Sequence, residues 1–438
     1  MKTNSYFNHK VKENFEKFFD KSIINRIGIS SGFCKRKAQK ITAYHFVAGF
    51  IACCCKQINT FSNWAAQIEL LTGQRISKQA VFKRLYRAES VVFLKKLLQR
   101  VIIEQSRMDV SSSLFKSFGK VLLQDSTTLR LPDSLATVFK GNTTNGEQKS
   151  QVRIQTILNI QTMRFLQFTL SSFTQNDQSA SSQILSCVSK GDLIIRDLGY
   201  FVLNVFKDII NANAHFLSRL KYGVLLFHPD GKPIKILSLL KGKAVIDLRV
   251  CIGKQKIPVR LVMLRLPKAQ VAERVRKARH NRDKNLNHSK DYYRLLAYAV
   301  YITTVDEKTW DAKQVGEAYK VRWQIEIVFK SWKSSGNMQA MLPAHIDNEQ
   351  RVCTTIYLFL LFVCLLINKI YVPVRQKIEK QQERYVSILK FMAYMFNNFY
   401  SLVSLSVNQL TKLIACNCCY ERRKDRLNMI DLYYNFKI

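Results

Sequence analysis

Two short apolar runs, Val121-Leu122-Leu123-Gln124 and Leu193-Ile194-Ile195-Arg196, each lead into an aspartate, Asp125 and Asp197. Runs of this length and composition read as strands, and each is expected to end at its acid, where the chain leaves the sheet. Between and after them the pattern alternates. Ile154, Thr156, Leu158 and Ile160 alternate with polar residues, and a turn then leads to Phe165–Leu170, which predicts a hairpin. Ser179–Ser189 and Phe201–Asn211 read as helical, and His215–Arg219 as another short strand. Strands interleaved with helices define an α/β unit.

The flanks are different. Residues 1 to about 110 read as helical, with Phe15, Phe18, Phe19 and Ile23 at helical spacing and a second apolar-faced segment over Ala43–Ile58. Within this region Thr72-Gly73-Gln74-Arg75-Ile76-Ser77 precedes a basic segment in which Ser77 is a candidate N-cap. Lys78, Gln79, Lys83 and Arg84 would form its polar face, with Ala80, Val81 and Leu85 left for packing. The shape is that of a helix-turn-helix whose second helix enters a major groove, or of a solvated face on a helical bundle.

From about 222 to 268 the chain stays β-like. Pro229-Asp230-Gly231 marks a turn, and Val245–Ile252 and Ile257–Leu266 read as paired strands. A basic stretch follows (Arg274, Arg276, Lys277, Arg279, Arg282, Lys284, Lys290), then a strand over Ala297–Thr303 and a helix from near Asp311 through Lys333. The remainder is helical. These changes of pattern divide the chain into residues 1–112, 113–221, 222–290, 291–345 and 346–438. Ile356–Ile367 is apolar throughout, but the uncharged run is shorter than the roughly 20 residues a bilayer needs. A buried core helix is expected there, and no membrane partner.

Lys and Arg number 69 against 31 Asp and Glu, a net charge of +38 spread along the whole chain. Self-repulsion of that size calls for a polyanionic partner, and nucleic acid fits because each neutralised phosphate releases a counterion. The first residues lead straight into charged sequence with no apolar core segment, so a cytoplasmic protein is expected. The eleven cysteines include Cys53-Cys54-Cys55 and Cys416-Asn417-Cys418-Cys419. Neither group has the paired spacing of a zinc site, and both read as reduced thiols.

The ends of strands are where α/β folds place ligands, so Asp125 and Asp197 are candidate site residues, although an Asp there also serves as a helix cap. A third acid lies on the segment Tyr319–Lys333. Tyr319, Arg322, Glu326 and Lys333 fall on one face at 3.6 residues per turn. Alone, that face is a surface ladder of salt bridges. Joined to the two aspartates, it becomes a set of three carboxylates able to hold two Mg²⁺ ions roughly 3.5–4 Å apart for in-line attack at a phosphodiester. Hard oxygen ligands suit Mg²⁺ or Mn²⁺ and not zinc.

The pattern Y-x2-R-x3-E-x6-K carried by Tyr319, Arg322, Glu326 and Lys333 resembles the signature of the insertion-sequence-four family of bacterial DDE transposases. Asp125-Ser126-Thr127 and Asp197-Leu198-Gly199-Tyr200-Phe201 resemble that family's two Asp motifs. The resemblance spans about residues 40 to 345. It implies an RNase H-like catalytic core interrupted by a β-rich insertion, between helical N- and C-terminal regions. It implies Asp125, Asp197 and Glu326 as catalytic metal ligands for two Mg²⁺ ions, with Mn²⁺ able to substitute, and Tyr319, Arg322 and Lys333 as DNA contacts. The partners implied are double-stranded DNA, at transposon ends and target, and a second subunit in a homodimeric synapse, with the protein nucleoid-associated when bound. It further implies a DNA hairpin during excision, and a flipped base stacked on an aromatic from the strand before the signature helix, here Tyr298 or Tyr301. Two alternatives stand beside it: an RNase H-like nuclease that cannot join strands, and a non-catalytic DNA-binding regulator.

Overall fold

The structure, a computed structural model, describes residues 19–420 apart from 36–39, 57–59, 105–113, 241, 281–288, 343–347, 383 and 404. Phe15 and Phe18 of the first expected helix, and Arg282 and Lys284 of the basic stretch, lie outside the described residues.

Five helices open the described chain: α1 (Lys21–Ser30), α2 (Ala43–Lys56), α3 (Phe61–Thr72), α4 (Lys78–Leu85) and α5 (Ala88–Ile103). The strands follow as β1 (Val121–Leu131), β2 (Lys140–Thr144), β3 (Glu147–Asn159), β4 (Arg164–Ser172) and β5 (Leu193–Arg196). After α6 (Leu203–Asn211) come β6 (His215–Arg219), β7 (Leu226–Phe227), β8 (Pro233–Ile234), β9 (Val245–Ile252) and β10 (Ile257–Arg265). Then α7 (Lys268–Arg279) and α8 (Lys290–Leu295) lead to β11 (Tyr298–Thr303), α9 (Ala312–Lys320) and α10 (Trp323–Lys330). The chain closes with α11 (Glu349–Leu366), α12 (Val372–Gln382), α13 (Ile388–Val403) and α14 (Val407–Cys418).

Among the described residues the strands form one mixed sheet in the order β2-β3-β1-β5-β6-β11-β10-β9-β7-β8, with β4 also paired to β3. β1, β5 and β6 are parallel, and the other pairings are antiparallel. The expected hairpin is β3–β4, and the expected strand pair is β9–β10. The segment read as an insertion is no separate body: β11 joins β6 to β10, so β7 to β10 widen the same sheet.

One strand end is not where the sequence predicts it. β1 continues past Asp125 to Leu131 because β3 stays beside it, from Leu122↔Asn159 to Leu131↔Ser150. Its parallel partner β5 stops at Arg196, opposite Gln124. Asp125 is therefore the first residue of β1 beyond that parallel pairing, level with the point where β5 releases Asp197. A second departure is Ser179–Ser189, which forms a 3-10 turn over Ser181–Cys187 in place of an α-helix. The Ala180 carbonyl takes the Gln183 N–H (3.1 Å) at the i→i−3 step and also Gln124 Nε2 (2.9 Å), and the Ser181 carbonyl takes Arg196 Nη2 (2.7 Å), so side chains from β1 and β5 tie the tightened turn to the sheet.

Side chains alternate across the sheet. Val121, Leu123, Leu193, Ile195 and Leu217 face a core shared with α2, α5, α10, α11 and α13, whereas Leu122, Ile194 and Phe216 face a second core with α6 and the 3-10 turn. The helices before and after the sheet form one body, with α11 packed against α2, α4 and α5, and α13 against α2 and α10. The continuous helical run Glu349–Gln381 is long and apolar enough to cross a membrane, yet 94% of its most apolar window is buried inside the fold. Each fully buried Leu or Phe there contributes about 1.5–3 kcal/mol, and α11 is the central core helix. Cys53, Cys54, Cys418 and Cys419 are buried, while Cys416 is exposed.

Candidate active site

Asp125, Asp197 and Glu326 come from three elements and meet at one guanidinium. Arg322 Nη1 lies 3.4 Å from Asp125 Oδ2, its Nε 3.6 Å from Asp197 Oδ1, and its Nη2 2.6 Å from Glu326 Oε1. Tyr319 joins them, donating to Asp197 Oδ1 at 3.5 Å.

The helix geometry explains why Arg322 sits in the middle. Asp311 caps α9 in a reciprocal capping box with Gln314. The expected single helix then tightens at Val321–Arg322, where Arg322 N–H bonds to Tyr319 O (3.1 Å) and Gln324 N–H to Val321 O (2.9 Å). Bonds of the i→i−3 kind eclipse residues three apart, which lines Tyr319 up with Arg322. α10 then restores the α-helical step that places Glu326 one turn on. Beyond it the helix widens into a π-turn at Ser331–Ser335. Lys333 lies on this π-turn; it is exposed and, among the described residues, pairs with none of the three acids.

Electrostatics concentrate on Asp125. Burial pushes its carboxyl up to about 7, reinforced by Asp197 and Glu326 and opposed by the Ser126 N–H and Arg322. Burial also works against the Arg322 charge, but Asp197, Tyr319, Glu326 and Asp125 together hold its pKa above the ordinary value. Burial, then Asp197, pushes the Tyr319 hydroxyl upward. Three carboxylates around one guanidinium leave an excess of negative charge in a poorly solvated pocket, and all their donors are hard oxygens, a set that suits a divalent cation. With the guanidinium between the acids, no three such groups among the described residues stand close enough to close on one ion.

The other candidates divide. Tyr301 lies on the acid-bearing face of β11 and packs against Tyr319, ring centroids 5.2 Å apart. Tyr298 is not brought to the site. It points into the core on the opposite face and donates to Lys243 O at 2.8 Å. In the N-terminal body, α3, the left-handed Gly73 (φ 70°) and α4 make a helix-turn-helix shape with Ser77 as N-cap. Lys78, Gln79 and Lys83 are exposed, whereas Arg84 is half-buried and bonds back to Ala80 O at 2.8 Å.

A polar layer behind the acids was missed from sequence. Gln124 and Arg196, the residues immediately before the two aspartates, are cross-strand neighbours joined by Arg196 Nη2 to Gln124 Oε1 (2.7 Å). Arg196 is fully buried with no carboxylate partner among the described residues, and burial lowers its pKa to about 9. The available signal was a polar residue preceding the acid in both apolar runs. Asp177, which reaches Ser126 Oγ, Arg153 Nη1 and Gln155 Nε2, gave no such signal.

Two aspartates borne on β1 and on the loop leaving β5 meet a helix-borne glutamate inside the sheet, an arrangement that suits a metal-dependent enzyme acting on phosphodiesters. The chain belongs to the family described as "Transposase DDE domain", which matches residues 116–352, and is a DDE transposase of the insertion-sequence-four type. It is 27% identical over 379 residues to the transposase for insertion sequence element IS231F of Bacillus thuringiensis subsp. israelensis, covering 80% of this chain and 78% of that one. It is 25% identical to the IS231D transposase of subsp. finitimus, covering 90% and 86%. It is 26% identical to the IS1151 transposase of Clostridium perfringens, covering 75% and 73%. A piggyBac transposase synaptic complex with hairpin DNA overlays 92% of this chain and 84% of that one, at 11% identity and a TM-score of 0.44, below the level that defines a shared fold. The DDE domain implies dependence on a divalent metal ion, and the protein is a DNA transposase.

Proposed function

We propose that the protein cuts DNA at transposon ends and joins the freed 3′ ends to target, with Asp125, Asp197 and Glu326 as ligands of two Mg²⁺ ions. The observation that carries this reading is the convergence of the three carboxylates on Arg322. An RNase H-like core is supported by the strand order β4-β3-β1-β5-β6, with β3 antiparallel to β1, and β5 and β6 parallel to it.

Asp125, Asp197 and Glu326 would hold the pair of Mg²⁺ ions, which would supply the positive charge that an in-line displacement at phosphorus needs; Mn²⁺ has the same ligand preferences. The chain's own groups do the positioning. Arg322 holds the acids together in the absence of cations and, once they are neutralised, offers its guanidinium to a DNA phosphate in a bidentate grip. Tyr319, half-aligned on Asp197, donates to a phosphate oxygen beside it. In the first step water attacks the phosphorus at the transposon end and the 3′ oxygen leaves with a proton. That 3′-hydroxyl then attacks the opposite strand's phosphodiester, closing a hairpin as the flanking DNA leaves through its own 3′ oxygen, which takes up the proton. Water attacks the hairpin phosphorus and expels the transposon 3′-hydroxyl again, leaving a 5′-phosphate. That hydroxyl attacks a target phosphodiester, whose 3′ oxygen leaves with the proton. Two subunits pair two ends.

The test is a duplex carrying the element's own terminus, incubated with protein and Mg²⁺, and the same duplex supplied precut. Nicked, hairpin and joined products are expected. Nicking with no joining from precut ends selects the nuclease alternative, and binding with no metal-dependent nicking selects the regulator.

A further inference from the structure

We infer that Asp177 is a positioning residue that sets the spacing of the two catalytic aspartates from the sheet face opposite the metal site, an inference that rests on the reading above. Asp177 lies in the segment after β4. Its Oδ1 accepts from Ser126 Oγ (2.8 Å), Arg153 Nη1 (2.9 Å) and Gln155 Nε2 (3.0 Å). Ser126 follows Asp125, so alternation along β1 turns the two side chains to opposite faces. On the Asp197 side, a Cβ at Gly199 would stand 3.1 Å from Asp177 Oδ2, so the carboxylate presses on bare backbone there. Gly199 N–H in turn donates to Asp197 Oδ2 (3.4 Å), capping the turn that presents the second acid. Tyr200, next in that turn and buried, donates its hydroxyl to Gln155 Oε1 (2.5 Å), which closes the circuit back to Asp177.

One carboxylate thus touches the residue after the first acid and the second and third residues after the second, Gly199 and Tyr200, directly or through Gln155. Its charge is balanced by Arg153, which also donates to Ser126 Oγ (2.8 Å) and Phe173 O (3.2 Å). The acid's partners come from two strands, β1 and β3, and its steric contact is with the loop leaving a third, β5. A group so placed controls the gap between Asp125 and Asp197 without reaching substrate or ion. Partners that orient metal ligands in this indirect way typically change metal affinity or activity by about 10–100-fold when removed.

The experiment uses the full chain and three variants, Asp177→Ala, Asp177→Asn and Ser126→Ala. Mn²⁺ binding is followed without DNA by electron paramagnetic resonance, and nicking of the terminal duplex is titrated with Mg²⁺. Asp177→Ala is expected to weaken Mn²⁺ binding about 10-fold and raise the half-saturating Mg²⁺ to match, with duplex affinity unchanged. Asp177→Asn keeps an acceptor for Ser126 and Gln155 but leaves Arg153 without its counter-charge, so a smaller shift in the same direction is expected. If the alanine variant does not fold, the other two decide by the same readouts. Folded variants with wild-type metal binding, or a slower rate at unchanged metal affinity, overturn the inference. A wild-type protein that shows no metal-dependent nicking overturns the transposition reading itself, and this inference with it.

Discussion

Arg322 presents each of three nitrogens to a different acid, which makes it the residue whose removal has the most specific consequence. Arg322→Ala is expected to harm hairpin formation or resolution more than first-strand nicking, because a bent strand needs its phosphate gripped while the metal ligands remain. Arg322→Lys should not restore the loss, since an ammonium is a point donor and cannot fork between two oxygens. Equal loss at nicking and hairpin steps, read on a denaturing gel, would point to a folding or general binding role. The tyrosines give a second residue-scale test. Tyr301 is on the acid-bearing face and Tyr298 is not. A stacking platform is worth about 1–3 kcal/mol per base, so Tyr301→Ala should slow hairpin formation about 10- to 100-fold and quench the signal of a 2-aminopurine near the transposon end. Tyr298→Ala should leave that signal alone. The reverse order would place the platform on the other face.

At the scale of elements, the strands and helices were largely legible because each carries its own period. β3–β4 and β9–β10 alternate visibly, and α11 is too apolar for a surface, in keeping with its burial inside the fold. What could not be read is where neighbours overrule local pattern. β1 outruns Asp125 because β3 stays paired to it, and the 3-10 turn at Ser181 is tied to the sheet by Gln124 and Arg196, residues far from it in sequence. The acids were visible at their motifs, whereas Asp177 was not, since its importance lies wholly in what the fold brings to it. Lys333 was read on a uniform 3.6 period, and the π-turn it lies on is a feature that period does not carry. Two element-scale outcomes follow. Phe362, fully buried in α11 and edge-on to Phe396 (5.4 Å) and Phe399 (5.3 Å), should cost about 3–5 kcal/mol when cut to Ala, measured by denaturant unfolding. For α4, Lys78→Ala with Lys83→Ala should flatten the salt dependence of terminal-duplex binding by about two counterions if the helix lies on phosphates. An unchanged slope would leave α4 as a solvated face.

Over the whole molecule, a net charge of +38 surrounds a pocket in which three carboxylates face one arginine. A positive field of that size favours DNA of any sequence, and the local reversal of sign is where the proposed cation and scissile phosphate would sit. The proposal that Asp125, Asp197 and Glu326 form one metal site for both cutting and joining is tested by nicking and strand transfer on matched uncut and precut terminal duplexes, with Mg²⁺, for wild type and for Asp125→Ala, Asp197→Ala and Glu326→Ala. Each variant is predicted to bind the duplex with near wild-type affinity while losing both reactions. Near-normal turnover of either duplex by any one folded variant would contradict the three-acid site.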